Sequence, residues 1–429
     1  MNASRHTLPL IPGARGRPRG VGLVETMVGV LIGMIVILFV CNILAAADGY
    51  RRTTVGASDA QINGLVAQLI AGRDAGNGGA GITLSNDDLI NCTRNDGGAD
   101  VRTMPVTQLD AAVRPIPLLI ADSGNAWTSD SFISMWAGAA HVTWPVDLIA
   151  TSLPGEAITV RSPNGFTVPP PAAGAGAHWA VVMANDSSGT CKMVRLTAAT
   201  DADAQGRVTV TQDPLTATTA TYLVNPPSRL LNLGPTGMAA RVRYDVSAGV
   251  MRTTDLLVAP PTAPTPVPFA QNITLMKVQY GIDSHANGFV DCWTAADNNN
   301  TCGDGKDYSA NSVRAMPLAD LNRILAVRIG VVVRSDEPDL RLLTDPTNTQ
   351  LQQESAGILK ATRPQPYLFN CSTDTDAACQ SRVKVPIGNG GGAATCGNNV
   401  ICDYWRYRAY ETVIPLRNAI YAATLPTLP

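Results

Sequence analysis

Few residues in this sequence could carry out catalysis. Histidine is the side chain whose charge most readily changes near neutral pH, and the chain has four, namely His6, His141, His178 and His285. The sequence contains no GxSxG hydrolase motif, no HExxH zinc motif and no Walker-type phosphate loop. We therefore predict that the protein is not an enzyme.

Cysteine is the residue type with the clearest chemistry in this chain. Of nine cysteines, Cys41 lies in an apolar run near the N-terminus. An even number remains in loop-like contexts, which predicts disulfides formed in an oxidising compartment. Buried free thiols are the alternative, and zinc binding is less favoured because no CxxC occurs. The eight cysteines are Cys92, Cys191, Cys292, Cys302, Cys371, Cys379, Cys396 and Cys402.

Closeness in sequence suggests how these cysteines pair. Three pairs would close short loops, and a fourth would tie the region after the N-terminal helix to the sheet. Such bridges suit a secreted protein with few aromatic residues, because each contributes about 2–4 kcal/mol. The expected pairs are Cys292 with Cys302, Cys371 with Cys379, Cys396 with Cys402, and Cys92 with Cys191.

A short segment rich in Asp and Asn is the only candidate for a metal site. Asp283, Asn287 and Asp291 flank Gly288, and calcium prefers several oxygen ligands from a tight loop that contains glycine. However, His285 replaces one potential carboxylate, and no bidentate Glu follows at EF-hand spacing. A β-hairpin turn explains the same residues. We expect no cofactor, with calcium as the one alternative.

The N-terminus combines a basic leader with a long apolar run. Residues 1–20 contain four arginines and no acidic residue, and residues 21–47 are long enough to cross a bilayer. The positive-inside rule places the leader in the cytoplasm and exports the rest. An ordinary secretory signal would be shorter and would end in small residues. The overall charge of −2 gives no support for nucleic-acid binding.

The junction between leader and apolar run resembles the prepilin peptidase motif of type IV pilins. That resemblance implies cleavage after Gly20 and N-methylation of Val21, where Phe is the usual residue. An ionised Glu25 near hydrocarbon costs at least about 2.5 kcal/mol, so it needs a partner or a proton. In a pilin the partner is the terminal amine of a neighbouring subunit, which sets the assembly register. The alternative is a glutamate at the level of the lipid headgroups.

The sequence predicts that the apolar helix continues outside the membrane. Gly29 and Gly33 form a GxxxG step that would let another helix pack closely. Residues 48–76 form an amphipathic soluble half, whose apolar stripe should pack on a sheet. The stripe consists of Ile62, Leu65, Val66, Leu69 and Ile70.

The rest of the chain is typical of antiparallel β-structure. Short runs of β-forming residues are separated by turn residues, and Gly and Pro are plentiful, at 38 and 30. We expect an α+β, type IV pilin-like fold: a long N-terminal helix packed on a disulfide-rich, loop-rich antiparallel head. The head is divided into a first part, 77–260, and a C-terminal part, 261–429.

Three C-terminal motifs resemble the PilW family of minor pilins. They are YGID at residues 280–283, AVRIGVVVRS at 326–335 and ETVIPLRN at 411–418. The resemblance covers 20–75 and about 273–420, whereas 85–175 matches nothing recognisable. The residues that carry it are Tyr280, Gly281, Asp283, Pro415, Leu416, Arg417 and Asn418.

This resemblance implies a minor pilin that primes pilus assembly and sits at or near the pilus tip. Its partners would be the prepilin peptidase, other minor pilins, the major pilin and a PilC/PilY-type tip adhesin. Before assembly it would span the inner membrane once, with its head in the periplasm. Adhesion and twitching motility are the processes implied, while the sequence does not distinguish them from DNA uptake.

Two alternatives stay open. A minor pseudopilin of type II secretion shares the N-terminus but does not explain the PLRN residues. A membrane-tethered surface-binding protein or adhesin would use its head to recognise a ligand, and its function would not depend on Glu25.

Overall fold

The structure is a computed structural model of the 429-residue chain. It describes residues 22–82, 94–95, 116–124, 128–138, 145–163, 166, 177–185, 189–258, 263–297, 302–336, 368–369 and 407–417. The chain divides into two units, Met1–Val55 and Gly56–Pro429, and each is treated by itself below.

The first unit contains the start of a long helix, α1, which spans Leu23–Asn77. Within it, Leu23–Asp48 has a mean hydropathy of 2.8 and is long and apolar enough to cross a membrane. Glu25 lies in the first turn. A side chain added at Gly29 or Gly33 would meet nothing within 4 Å, so helix packing at these glycines stays a prediction. Gly20 and Val21 lie outside the described residues.

The second unit is the head, built mainly from strands. In chain order they are β1 Arg94–Asn95, β2 Leu118–Ala121, β3 Ser131–Trp136, β4 Val146–Asp147, β5 Ile158–Val160, β6 His178–Met183, β7 Thr190–Ala199, β8 Val208–Gln212, β9 Arg229–Pro235, β10 Ala240–Ser247, β11 Val250–Asp255, β12 Val267–Gln271, β13 Ile273–Ile282, β14 Cys292–Ala295, β15 Ile324–Arg334 and β16 Tyr407–Pro415. Two short helices, α2 Ala310–Ala315 and α3 Leu318–Leu321, precede β15.

These strands form three sheets. A four-stranded sheet has the order β14-β13-β15-β16, and a five-stranded sheet has the order β12-β11-β10-β3-β2. The third sheet follows the order β4-β9-β6-β7-β8-β5, with β1 beside β7. Every pairing is antiparallel except that of β1 with β7. The expected apolar helix and antiparallel head are therefore confirmed.

The third sheet closes on itself as a six-stranded barrel. Leu148, just after β4, forms a bridge with Val160 in β5. The Ile149 N–H donates to the Thr159 carbonyl at 3.1 Å, and the Arg161 N–H to the Asp147 carbonyl at 3.1 Å. The interior holds buried Val, Ile, Leu and aromatic side chains that form a core of their own. The barrel is inserted between β3 and β10, which pair with each other.

His178 lies buried in β6 and is 6% exposed. Its Nδ1 is 3.1 Å from the Asn232 Oδ1, and burial lowers its pKa from 6.5. Because the folded-state pKa lies below the unfolded value, the neutral ring stabilises the fold above about pH 6.5. That contribution is lost as pH falls further.

We therefore expect His178→Gln to flatten the decline in unfolding free energy between pH 7 and pH 5. Glutamine is neutral throughout this range and can still hydrogen-bond to Asn232. Denaturant titrations of both proteins at several pH values measure the two slopes. Equal slopes would contradict the assignment of this decline to His178.

The soluble part of α1 packs on the head mainly through small residues, which corrects three of the five positions of the predicted apolar stripe, while Ile70 packs against the core as predicted. Ile62, Leu65 and Leu69 are 56%, 52% and 72% exposed. Small side chains bring a helix backbone closer to a sheet than leucine allows, so the small-residue face is the one that packs. The buried positions are Gly56, Ala60, Gly64, Ala67, Ala71 and Ala75.

The end of α1 is held by polar contacts as well. The Tyr244 hydroxyl donates to the Asp74 carboxylate at 2.5 Å, and the Ser134 hydroxyl donates to the Asp74 carbonyl at 2.7 Å. Tyr244 also stacks on Phe132, with 4.7 Å between ring centroids. These contacts fasten α1 to β3 and β10.

The predicted disulfides are confirmed only in part. Cys292 is bonded to Cys302 as expected, and Cys191 is also disulfide-bonded. Cys41 is a free, exposed thiol. Cys92, Cys371, Cys379, Cys396 and Cys402 lie outside the described residues, so their pairings stay predictions. The pairing of β1 with β7 sets Asn95 beside Cys191, which is compatible with a bridge from Cys92.

Candidate functional site

The four-stranded sheet brings together the three C-terminal sequence motifs. YGID ends β13, AVRIGVVVRS forms most of β15, and ETVIPLRN begins in β16. Gly281 pairs with Ala326, and Ala326 pairs with Pro415. Segments more than forty residues apart in sequence therefore lie side by side in one sheet.

The inner face of this sheet belongs to the core of the head. Tyr280 is fully buried, and its hydroxyl accepts the Ile120 N–H at 2.7 Å. Burial raises the pKa of Tyr280 above its usual value of 10, so the phenol stays neutral. Leu416 is also buried, and its N–H donates to the Leu325 carbonyl at 2.8 Å. Arg417 is exposed, and Asn418 lies outside the described residues.

The outer face is covered by aromatic residues that lie over two glycines. A Cβ on Gly281 would come within 2.9 Å of the Trp293 ring, and one on Gly330 within 2.9 Å of Leu368. Glycine inside a strand often marks such a close approach. The two glycines inside strands, Gly281 and Gly330, were the sequence signal that could have pointed to Trp293 and Phe369. The sequence analysis did not identify these two aromatic residues.

Arg328 lies between these aromatic rings. Its guanidinium carbon is 4.8 Å from the Trp293 centroid and 4.3 Å from the Phe369 centroid. Its Nε donates to the Gln279 side-chain oxygen at 2.7 Å. Burial lowers the pKa of Arg328 to about 10, and Glu411 acts in the opposite direction. The group therefore remains a cation at neutral pH and fixes the outer face through cation–π contacts.

The Asp- and Asn-rich segment is the loop between β13 and β14. The Asp283 carboxylate accepts the N–H groups of Asn287 at 2.9 Å and Gly288 at 2.7 Å. Asp291 accepts the Asn287 side-chain amide at 3.0 Å and the His285 N–H at 3.1 Å. Hydrogen bonds from Asn287 and His285 lower the pKa of Asp291.

These contacts explain why Asp and Asn are frequent in this segment: their side chains hydrogen-bond the loop. A turn of this kind was the alternative to a metal site. Among the described residues, no group of three or more His, Cys, Asp or Glu side chains could hold a metal ion. The expectation of no cofactor stays a prediction, with calcium binding by Asp283, Asn287 and Asp291 as its alternative.

A second exposed feature is the outward face of α1 in the head. Ile62, Leu65 and Leu69 follow helical spacing, and each is more than half exposed. An exposed row of large apolar side chains is typical of a surface that contacts another protein. The site therefore consists of surfaces that suit binding, with no arrangement of reactive groups identified among the described residues.

The described fold is a long helix, apolar in its first part, whose residues from Gly56 onward pack on an antiparallel head. Residues 243–418 match the family model of PilW, the type IV pilus-assembly protein W. The C-terminal part of the chain is therefore similar to this family, and the match supports the resemblance of its three motifs.

Among solved structures, the chain is similar to the type IV-like pilin TTHA1219 from Thermus thermophilus. The identity is 10% over 57% of this chain and 85% of that chain, with a TM-score of 0.20, which is too low to carry an argument. No curated protein matches the chain.

Proposed function

We propose that this protein is a minor pilin that helps to prime pilus assembly and remains at or near the pilus tip. The observation that carries this proposal is the PilW match over 243–418, found in a chain that begins with a membrane-length apolar helix. Its partners would be other minor pilins, the major pilin and a PilC/PilY-type tip adhesin. Before assembly the head would lie in the periplasm.

The mechanism we propose is helix bundling. Once prepilin peptidase has cut after Gly20 and Val21 has been methylated, Glu25 would pair with a neighbour's terminal amine. This pairing offsets the cost of a carboxylate near hydrocarbon. Ile62, Leu65 and Leu69, exposed on the soluble half of α1, would extend the same contact outside the membrane.

Processing is tested by the intact mass of the protein extracted from membranes of cells with and without prepilin peptidase. We expect loss of residues 1–20 and gain of one methyl group only when the peptidase is present. An unprocessed chain in both strains would refute the pilin pathway.

We expect replacement of both Leu65 and Leu69 by aspartate to reduce the amount of other pilins that copurifies with the protein. The charges would be desolvated at the helix contact, while the fold is kept because both side chains are exposed. Replacement of both Met238 and Val267 by aspartate, at positions 62% and 57% exposed, is the matched control. Equal recovery of pilins with both variants would contradict the role of this face.

A second candidate function is that of a tethered surface-binding protein. It is favoured by the barrel, which lies before residue 243, where the PilW match begins. Leu153, Leu215 and Leu223 are 49%, 65% and 43% exposed in this region. If this function is correct, Glu25→Ala should leave surface binding intact, and loss of binding would contradict it.

A further inference from the structure

We propose that Lys277 and Asp130 condense into an isopeptide bond, an amide between the Lys277 Nζ and the Asp130 side-chain carbon. The bond joins β13 to the residue directly before β3, and thus the four-stranded sheet to the five-stranded sheet. The ion pair between these two side chains is the form that precedes the bond. The inference does not depend on the proposed function, because it concerns only the chemistry of the head.

Lys277 and Asp130 are held in contact inside the head. The Lys277 Nζ is 2.8 Å from the Asp130 Oδ1, and the two side chains are 5% and 2% exposed. Groups fixed within about 3–3.5 Å of each other react without the entropy loss of bringing two molecules together. A site that excludes water also protects the intermediate from side reactions. The head therefore presents an amine and a carboxyl group in an arrangement that suits condensation.

Two backbone N–H groups stabilise the charge that develops on the Asp130 carboxyl group during the reaction. The Ser123 N–H donates to Oδ1 and the Val278 N–H donates to Oδ2, each at 3.1 Å. Attack on the carboxyl carbon places negative charge on its oxygens, and donors that are already in position lower the barrier to this step.

The Ser123 hydroxyl lies between the amine and the carboxyl group. It accepts a hydrogen bond from the Lys277 Nζ at 3.1 Å and donates to the Asp130 Oδ1 at 3.2 Å. A hydroxyl that contacts both groups can pass a proton from the nitrogen to the oxygen.

The reaction begins with transfer of one proton from the Lys277 ammonium to the Asp130 carboxylate. Burial raises the pKa of Asp130, the Lys277 ammonium opposes that shift, and the charge of Asp122 supports it. The neutral amine attacks the Asp130 carbon and a C–N bond forms. A second proton passes through the Ser123 hydroxyl to a carboxyl oxygen, the C–O bond breaks and water leaves. One ammonium and one carboxylate thus become one amide and one water, without an oxidant or a further reactant.

Burial also favours the amide over the ion pair. Two charges inside a protein carry a desolvation cost that their attraction repays only in part. The amide is neutral, and its oxygen can still accept the Val278 N–H. The bond closes a loop whose ends are 147 residues apart in sequence, and this loop contains the whole barrel. A cross-link over such a long loop restricts the unfolded chain and so stabilises the fold.

A second Lys–Asp pair in the head is a matched internal control. The Lys306 ammonium contacts the Asp320 carboxylate, but these side chains are 26% and 24% exposed. Within the described part of the head, no backbone N–H donates to the Asp320 carboxylate. Because water solvates this pair and its carboxylate lacks such donors, we expect Lys306 and Asp320 to stay unlinked.

The test is the intact mass of the full chain extracted from membranes, after its disulfides have been reduced. We expect a mass lower by one water molecule than the sequence requires, whether or not residues 1–20 have been removed. Chains that still hold the ion pair keep the full mass. A tryptic digest should contain one branched peptide that joins Lys277 to Asp130, because trypsin does not cut after an amidated lysine. Cleavage after Lys306 should be normal.

Variants test the chemistry of the bond. Lys277→Arg keeps the positive charge but cannot form this amide, so its mass should match its sequence. Ser123→Ala keeps the backbone donor and loses the hydroxyl, so bond formation, followed by mass after synthesis, should be about a hundredfold slower. Ser123→Thr, which keeps a hydroxyl, should restore much of the rate. An unchanged rate in Ser123→Ala would contradict the proton transfer through Ser123.

Two results would overturn the proposal as a whole. The first is a wild-type protein in which every chain has the full mass of its sequence. The second is a loss of water that persists in Lys277→Arg or maps to a peptide without Lys277, which would indicate a cyclic imide at an aspartate instead. The wild-type mass and digest decide the question even if a variant fails to fold. Since neither result concerns prepilin processing or pilus partners, failure of this inference leaves the proposed function untouched.

Discussion

Asp130→Ala is expected to lower the free energy of unfolding of the head by about 3–5 kcal/mol, because it leaves Lys277 buried without its counter-charge. The Lys277 Nζ is 2.8 Å from the Asp130 Oδ1, and the two side chains are 5% and 2% exposed. Asp130 also accepts the N–H groups of Val278 and Ser123, each at 3.1 Å. The Ser123 hydroxyl also donates to the Asp130 carboxylate, at 3.2 Å. Loss of one carboxylate therefore removes an ion pair and three further hydrogen bonds.

The same residues connect two sheets. Asp130 directly precedes β3, and Lys277 lies in β13, so the pair joins the five-stranded sheet to the four-stranded sheet. Burial raises the pKa of Asp130, while the Lys277 ammonium opposes that shift. Desolvation commonly offsets the attraction in a buried ion pair. We infer that the pair contributes mainly to the alignment of the sheets.

The measurement is denaturant unfolding of the full chain in detergent, with tryptophan fluorescence as the signal. All six tryptophans lie in the head, so the signal reports on its unfolding. The control is Asp130→Leu combined with Lys277→Met, which removes both charges. This double variant should recover a large part of the unfolding free energy that Asp130→Ala loses. A loss below about 1 kcal/mol for Asp130→Ala would contradict the assigned role.

The C-terminal sheet and the apolar helix could be predicted because their signals are local. A run of apolar residues at 21–47 and the alternating pattern in 326–335 each determine one element. The three sequence motifs lie on β13, β15 and β16, and these strands are neighbours in one sheet. Closure of the barrel could not be predicted in this way. It depends on one bridge, between Leu148 and Val160, in segments that are too short to show a pattern.

The candidate site was predictable only in part, for a similar reason. The loop between β13 and β14 was visible as an unusual set of Asp and Asn residues, but calcium binding and a hydrogen-bonded turn require the same residue types. The exposure of Phe289 and the position of Arg328 between two rings depend on neighbours distant in sequence. Side-chain environments of this kind cannot be deduced from spacing.

The packing face of α1 was predicted only in part, because hydrophobicity was given more weight than size. Ile62, Leu65 and Leu69 are exposed, whereas Ile70 packs against the core together with the buried residues Ala67 and Ala71. The missed signal was the spacing of small residues at 56, 60, 64, 67, 71 and 75. Small residues four apart line one side of a helix and allow close packing.

Gly64→Ala is expected to destabilise the head by about 2 kcal/mol, because a Cβ at this position meets the Tyr410 ring of β16. Tyr410 is half-buried and lies in a paired strand, so its ring cannot move without disturbing the sheet. The helix would have to shift outward, which would open gaps beside Ala60 and Ala67. Denaturant unfolding of the full chain measures this loss.

Gly72→Ala provides the matched control on the same face of α1. The nearest atom to a Cβ at Gly72 is the Ile414 Cδ1 at 3.7 Å, which is an ordinary contact. Alanine favours helix over glycine by about 0.5–1 kcal/mol, so this variant should be neutral or more stable. Equal effects of Gly64→Ala and Gly72→Ala would show that helix propensity, and not close packing, determines the role of these glycines. The opposite signs that we expect would instead show that glycine at 64 is required for α1 to reach the sheet, which leaves Ile62, Leu65 and Leu69 facing outward.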